Sequence, residues 1–208
     1  MIHRIEKLIQ EGEHQQQDFK FCITDSRKIA KTLSAFANTD GGRLLIGVKD
    51  NGKIAGVQSE EEFHMIQAAA EMYSRPKVTF ESRIWKVQGK DVLEVTIAPS
   101  ESMPHYAQNE NGKWLAYVRK DDENHLANKI LLMVWKRQSK PQGTFLQYSD
   151  TEKYLMEFLE ENDSISIGQF CRLAKISRYK AERILVKLIC WKVIDLELSE
   201  TGATYRLK

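Results

Sequence analysis

The chain has 208 residues, 42% of them hydrophobic and 29% charged, with 31 Lys and Arg against 29 Asp and Glu for a formal charge of +2. That balance is ordinary for one large or two small globular domains and excludes a disordered polyelectrolyte or a histone-like polycation. No apolar run approaches the ~20 residues of a membrane-spanning helix. The first residues alternate charged and apolar side chains rather than forming a signal-peptide core. Cys22, Cys171 and Cys190 are odd in number and widely spaced, against a disulfide framework or a Cys-rich zinc site. These features predict a soluble, cytoplasmic protein without membrane association.

Ile2, Ile5, Leu8 and Ile9 recur at helical spacing, so a short amphipathic helix opens the chain and ends near Gly12. A second helix is predicted over 26–38, with Ile29, Ala30, Leu33, Phe36 and Ala37 as its buried stripe. Asn38-Thr39-Asp40-Gly41-Gly42 then stops it. Leu44–Val48 reads as a strand buried on both faces. Asp50-Asn51-Gly52 is a turn, and Lys53–Val57 the returning arm of a hairpin. A helix follows over 60–73, then strands over 78–87 and 92–97 about Gln88-Gly89-Lys90-Asp91, a strand at 114–119, and a closing helix over 126–135. The order is α+β with a mixed or antiparallel sheet, not repeated βαβ units.

The polar stretch Ser139–Thr144 contains Pro141 and Gly143 and reads as a linker, dividing a domain of residues 1–140 from one of 145–208. In the second, a helix capped by Asp150 or Thr151 carries Tyr154, Leu155, Phe158 and Leu159. A short helix over 167–174 follows, then one capped by Ser177 that buries Ala181, Ile184, Leu185, Leu188 and Ile189. Strands over 193–198 and 203–207 bracket Glu200-Thr201-Gly202. Three helices and a hairpin are the order of a winged helix-turn-helix. This segment has equal numbers of basic and acidic residues, but Arg178, Lys180, Arg183 and Lys187 gather on its third helix. Lys180, Arg183 and Lys187 fall at i, i+3 and i+7, one face of a helix. In a recognition helix such side chains contact phosphates and base edges of DNA.

Glu13-His14-Gln15-Gln16-Gln17-Asp18-Phe19-Lys20, followed by Ala35-Phe36-Ala37-Asn38-Thr39-Asp40-Gly41-Gly42 and Leu44-Leu45-Ile46-Gly47-Val48-Lys49-Asp50, resembles the Schlafen AlbA-like (divergent AAA-type) domain. That family carries E-x4-E-F-K, then AFANT-x-GG-x-L-x-IGV-x-D, then a G-x-I-x-G hairpin, matched here by Gly52–Gly56. Pro104-His105-Tyr106 and Tyr117-Val118-Arg119 resemble its P-x-Y and Y-x-R positions, so the likeness runs from Glu13 to Arg119. Here Asp18 stands where the family has a second Glu, one methylene shorter.

The resemblance implies an N-terminal α+β domain of mixed sheet and flanking helices that binds nucleic acid. Bacterial members are described as DNA-binding regulators. Lys20, Arg43 and Arg119 would add a basic surface to Arg178, Lys180, Arg183 and Lys187. A homodimer would rebuild the groove that eukaryotic relatives form from two lobes. The leading expectation is a DNA-binding transcriptional regulator. The alternative follows from eukaryotic members that cut RNA: Glu13, Asp18 and Asp50 occupy the positions of their three carboxylates, whose hard oxygens hold Mg²⁺ or Mn²⁺ and activate water. A third reading is a protein-interaction adaptor. ATP is not expected, because no G-x-x-x-x-G-K-[ST] occurs and Gly41-Gly42-Arg43 leads into a strand.

Overall fold

The amphipathic opening folds as α1 (Arg4–Glu11), which buries Ile5 and Leu8, and Gly12 ends it at φ +76°. This is a computed structural model that describes residues 4–57, 59–139, 149–199 and 202–208. The chain divides into two compact units, Met1–Leu126 and Ala127–Lys208. Among the described residues no helix is long and apolar enough to cross a membrane.

In the first unit, β1 (Gln17–Lys20) precedes α2 (Ser26–Ala37), β2 (Gly42–Ile46) and α3 (Glu61–Glu71). Then come β3 (Ser74–Arg75), β4 (Glu81–Val87), β5 (Lys90–Ile97), β6 (Tyr106–Gln108), β7 (Trp114–Lys120) and β8 (Glu123–Leu126). One sheet has the order β1-β2-β5-β4, parallel between β1 and β2 and antiparallel elsewhere. The mixed α+β architecture is therefore as expected. A second, antiparallel sheet has the order β3-β6-β7-β8.

Alternation puts Leu44 and Ile46 in the core beneath α2 and α3, and Leu45 in the core beneath α1. This is the two-sided burial that the run Leu44–Val48 predicts. The β4–β5 hairpin closes through Gln88 and Gly89, both at positive φ, with Val87 paired to Lys90. The returning arm expected at Lys53–Val57 does not form a strand; Val48 and Ile54 make a single isolated bridge. Gly47 and Gly56, at φ +90° and +93°, turn the backbone out of the extended ladder there. The two glycines of the turn before β2 differ in their reasons. Gly41 takes φ +70°, whereas a Cβ on Gly42 would lie 2.5 Å from the Phe36 ring.

In the second unit, α4 (Lys129–Gln138) is followed by α5 (Asp150–Glu161), β9 (Ile165–Ser166), α6 (Ile167–Leu173), α7 (Arg178–Cys190), β10 (Ile194–Ser199) and β11 (Gly202–Leu207). The sheet order is β10-β11-β9, antiparallel throughout. The helix expected to close the first domain starts later, where the Asn128 side chain accepts from the Leu131 N–H at 2.8 Å. Its Ile130 and Val134 join the second unit's core with Leu155, Phe170, Leu185 and Tyr205. The division thus falls before this helix, upstream of the predicted linker; of that stretch, residues 140–144 lie outside the described residues. The cap of α5 is Ser149 rather than Asp150 or Thr151, its N–H donating to the Glu152 carboxylate at 2.6 Å.

Candidate functional site

Pairing of β1 with β2 extends Gln17–Lys20, so Asp18 and Lys20 fall on the same side of the strand. Lys20 Nζ lies 2.8 Å from Asp18 Oδ2, and the Phe19 N–H donates to Glu13 Oε1 at 2.8 Å. Arg119 arrives from β7. Its guanidinium donates to Asp18 Oδ1 at 3.3 Å and to the Gln17 carbonyl at 3.2 Å, over the Phe36 ring. Burial raises the Glu13 carboxyl above its usual range; the Phe19 N–H opposes this, and the neighbouring Asp18 pushes it further up.

Glu13 and Asp18 are therefore brought together, but Asp50 is not gathered with them. Asp50 is exposed beside the Asn51-Gly52 turn. Among the described residues no group of three or more His, Cys, Asp or Glu side chains could hold a metal ion. Two cations already neutralise Asp18. This donor set does not fit a three-carboxylate Mg²⁺ or Mn²⁺ centre.

The expected basic surface of this unit is largely spent on internal ion pairs. Arg119 is only 3% exposed, so it cannot reach a nucleic acid, contrary to the expectation. Arg43 lies 3.9 Å from the buried Glu94, which Arg4 holds at 2.7 Å and the Trp85 indole N–H at 2.8 Å. Lys20 remains partly exposed but is committed to Asp18 and the Phe19 carbonyl.

In the second unit, α7 starts where Ser177 Oγ accepts from the Lys180 N–H at 3.3 Å. The helix buries Ala181, Ile184, Leu185 and Leu188 and turns Arg178, Tyr179, Lys180 and Arg183 to solvent. Arg178 reaches Glu182 at 3.5 Å, and Arg183 lies over the Tyr179 ring at 5.7 Å. Among the described residues Lys180 and Arg183 make no ion pair.

Lys187, grouped with them by spacing, is different. Its ammonium lies 2.7 Å from the buried Glu152 and 4.4 Å from the Trp191 ring centroid. Burial would raise the Glu152 carboxyl, but Lys187 and Ser149 hold it below the usual carboxylate range. Lys187 is thus a core ion-pair partner, a correction to its assignment as a nucleic-acid contact. Tyr179, at 66% exposure between Arg178 and Lys180, escapes a reading based on charge alone. The detectable signal is a large aromatic on the polar side of the helix. The basic run Arg27-Lys28-x-x-Lys31 on α2 likewise escapes it, because that helix registers first as a core helix.

The family model described as Schlafen, AlbA_2 matches residues 13–128. No curated protein matches the chain. Among solved structures, the DIP2311 protein of Corynebacterium diphtheriae is similar at 21% identity and a TM-score of 0.45, over 63% of this chain and 28% of its own. This chain therefore spans little more than a quarter of that protein. The N-terminal domain of a DNA helicase RecG-related protein from Nitrosomonas europaea is similar at 21% identity and a TM-score of 0.41, over 57% of this chain and 89% of that domain.

Proposed function

The chain belongs to the Schlafen, AlbA_2 family, and from that premise we propose that it is a DNA-binding protein, a transcriptional regulator, that engages duplex DNA through α7. The observation that carries this reading is the exposed face of Arg178, Tyr179, Lys180 and Arg183, opposite the buried stripe of the helix. The order α5, β9, α6, α7, β10, β11, with sheet order β10-β11-β9, supports a winged helix. In that arrangement α7 is the recognition helix, and its N-terminal residues meet base edges in the major groove. Lys180 and Arg183, which pair with no carboxylate among the described residues, offer their charge to phosphates. A chain of formal charge +2 binds duplex weakly as a single copy, so a homodimer that doubles the contacts is part of the proposal.

The test is duplex-DNA binding by the full chain across a salt series, beside Lys180→Ala and Arg183→Ala. Each substitution weakens binding and reduces the log–log salt slope by about 0.9, the value of one phosphate contact on B-form DNA. Wild-type slopes in both variants would remove α7 from the interface. Adding Mn²⁺ and RNA to the same series tests the ribonuclease alternative, with cleavage abolished in Glu13→Gln as its signature. Light scattering at rising protein concentration tests the dimer.

A further inference from the structure

A second basic surface lies on the first unit, on cations other than those assigned above. The outer side of α2 and the loop between β6 and β7 enclose a cleft of about 230 Å³, lined among others by Arg27, Lys28, Lys31, Gln108, Asn109 and Tyr117. Three cations face one carboxylate, Glu110. Among the described residues none of the three makes an ion pair. This contrasts with Lys20, Arg43, Arg119 and Lys187, each of which reaches a buried carboxylate. The first turn of α2 holds no acid, and the capping Asp25 is engaged by the Arg27 N–H at 2.8 Å, so the three cations repel one another. An anion in the cleft relieves that repulsion.

The walls are preorganised. Arg27 lies over the Tyr73 ring at 4.9 Å and Lys31 over the Tyr117 ring at 5.1 Å, contacts that orient the cations without neutralising them. Opposite, Asn109 Oδ1 accepts from the N–H groups of Asn111 at 3.1 Å and Lys113 at 2.9 Å, which fixes the loop. Gln108 donates one Nε2 N–H to the Gly112 carbonyl at 3.2 Å, and the second N–H of the same amide is able to meet a phosphate. The cleft is smaller than the ~300–1,000 Å³ of ordinary small-molecule pockets. It is sized for one phosphate with its sugar, as part of a longer polymer.

We infer that this cleft is a second nucleic-acid site, which holds the backbone phosphate of a single strand between α2 and the β6–β7 loop. A single strand, unlike a duplex, can bend one phosphate into a concavity of this size. The site is built from first-unit residues alone, and the inference stands or falls independently of the α7 reading.

The experiment is fluorescence anisotropy of the full chain with labelled oligo-U, oligo-dT and a duplex, each of about 15 nucleotides per strand, over a salt series. Lys28→Gln/Lys31→Gln is expected to weaken both single strands about tenfold and to reduce their log–log salt slope by about 1.4, two contacts at ~0.7 each. Lys28→Arg/Lys31→Arg keeps the charge and retains binding, and an unchanged melting midpoint shows that both variants are folded. Lys180→Ala/Arg183→Ala leaves single-strand binding intact. Tighter binding of oligo-U or of oligo-dT identifies RNA or DNA as the preferred strand, since the 2′-hydroxyl distinguishes them. Wild-type single-strand binding by the Gln pair overturns the inference. So does loss of single-strand binding in the α7 pair instead, which leaves the duplex reading standing. Equal weakening of duplex and single strands by the Gln pair overturns the assignment to a single strand.

Discussion

Asn38 and His105 hold each other by two hydrogen bonds: the Asn38 amide donates to the His105 carbonyl at 2.8 Å, and its Oδ1 accepts from the His105 N–H at 2.7 Å. The same amide donates to the Tyr117 carbonyl at 2.9 Å. Next to it, Thr39 Oγ1 accepts from the Arg119 N–H at 2.9 Å and donates to the Ala35 carbonyl at 2.7 Å. The polar pair that ends α2 is therefore a clamp on the backbone around β6 and β7. Asn38→Ala leaves buried backbone groups unpaired and is expected to destabilise the first unit by about 3 kcal/mol. Urea unfolding followed by tryptophan fluorescence measures it; a loss under ~1 kcal/mol would mean that the clamp is dispensable.

Lys187 and Lys180 share a helix but are expected to respond oppositely. Lys187→Ala strands the Glu152 carboxylate, which is 3% exposed, and costs about 3 kcal/mol in the second unit. Lys180→Ala leaves stability within ~0.5 kcal/mol of wild type while weakening DNA binding. Thermal melting and DNA binding on the same samples separate the two effects. Equal melting temperatures in both variants would contradict the ion-pair assignment.

The raised carboxyl of Glu13 predicts that Glu13→Gln does not destabilise the protein at neutral pH. The substitution retains an oxygen for the Phe19 N–H and removes like-charge repulsion from Asp18. A gain below ~1 kcal/mol is expected after solvent screening. A folded-state carboxyl above its unfolded value contributes stability below the unfolded value and loses it as pH rises through the folded one. The advantage of the Gln variant should therefore shrink as pH is lowered toward 4.5, the ordinary glutamate value. An advantage that grows on acidification would show the opposite sign of coupling.

His105 is buried. Burial lowers its imidazole below the ordinary 6.5, with partial opposition from the Pro76 carbonyl at 2.9 Å, while Nε2 lies 2.7 Å from Ser100 Oγ. Because the unfolded chain takes up this proton first, its contribution is present above 6.5 and is lost as pH falls through the folded value. His105→Gln should remove that part of the pH dependence below pH 6.5. Parallel acid-side slopes for wild type and variant in urea titrations would assign the dependence to other groups.

Local patterns determine much of this molecule. The stripes of α1, α2 and α7, the two-sided burial of Leu44–Ile46 and the β4–β5 hairpin rest on periodicity and turn chemistry, which the chain carries within a few residues. Strand β1 is not legible this way, because Gln17 and Asp18 are polar and become buried only when β2 pairs alongside and Arg119 arrives from β7. The site divides along the same line. The sequence by itself determined that cations gather on α7 and acids near the first motif. Only the tertiary structure decided which charges remain available, since Arg119 meets Asp18 across 101 positions of sequence and Lys187 meets Glu152 across 35. An ion pair closed by folding consumes a charge that spacing alone counts as free, and that is why Lys180 and Arg183 remain on the exposed face while Lys187 does not.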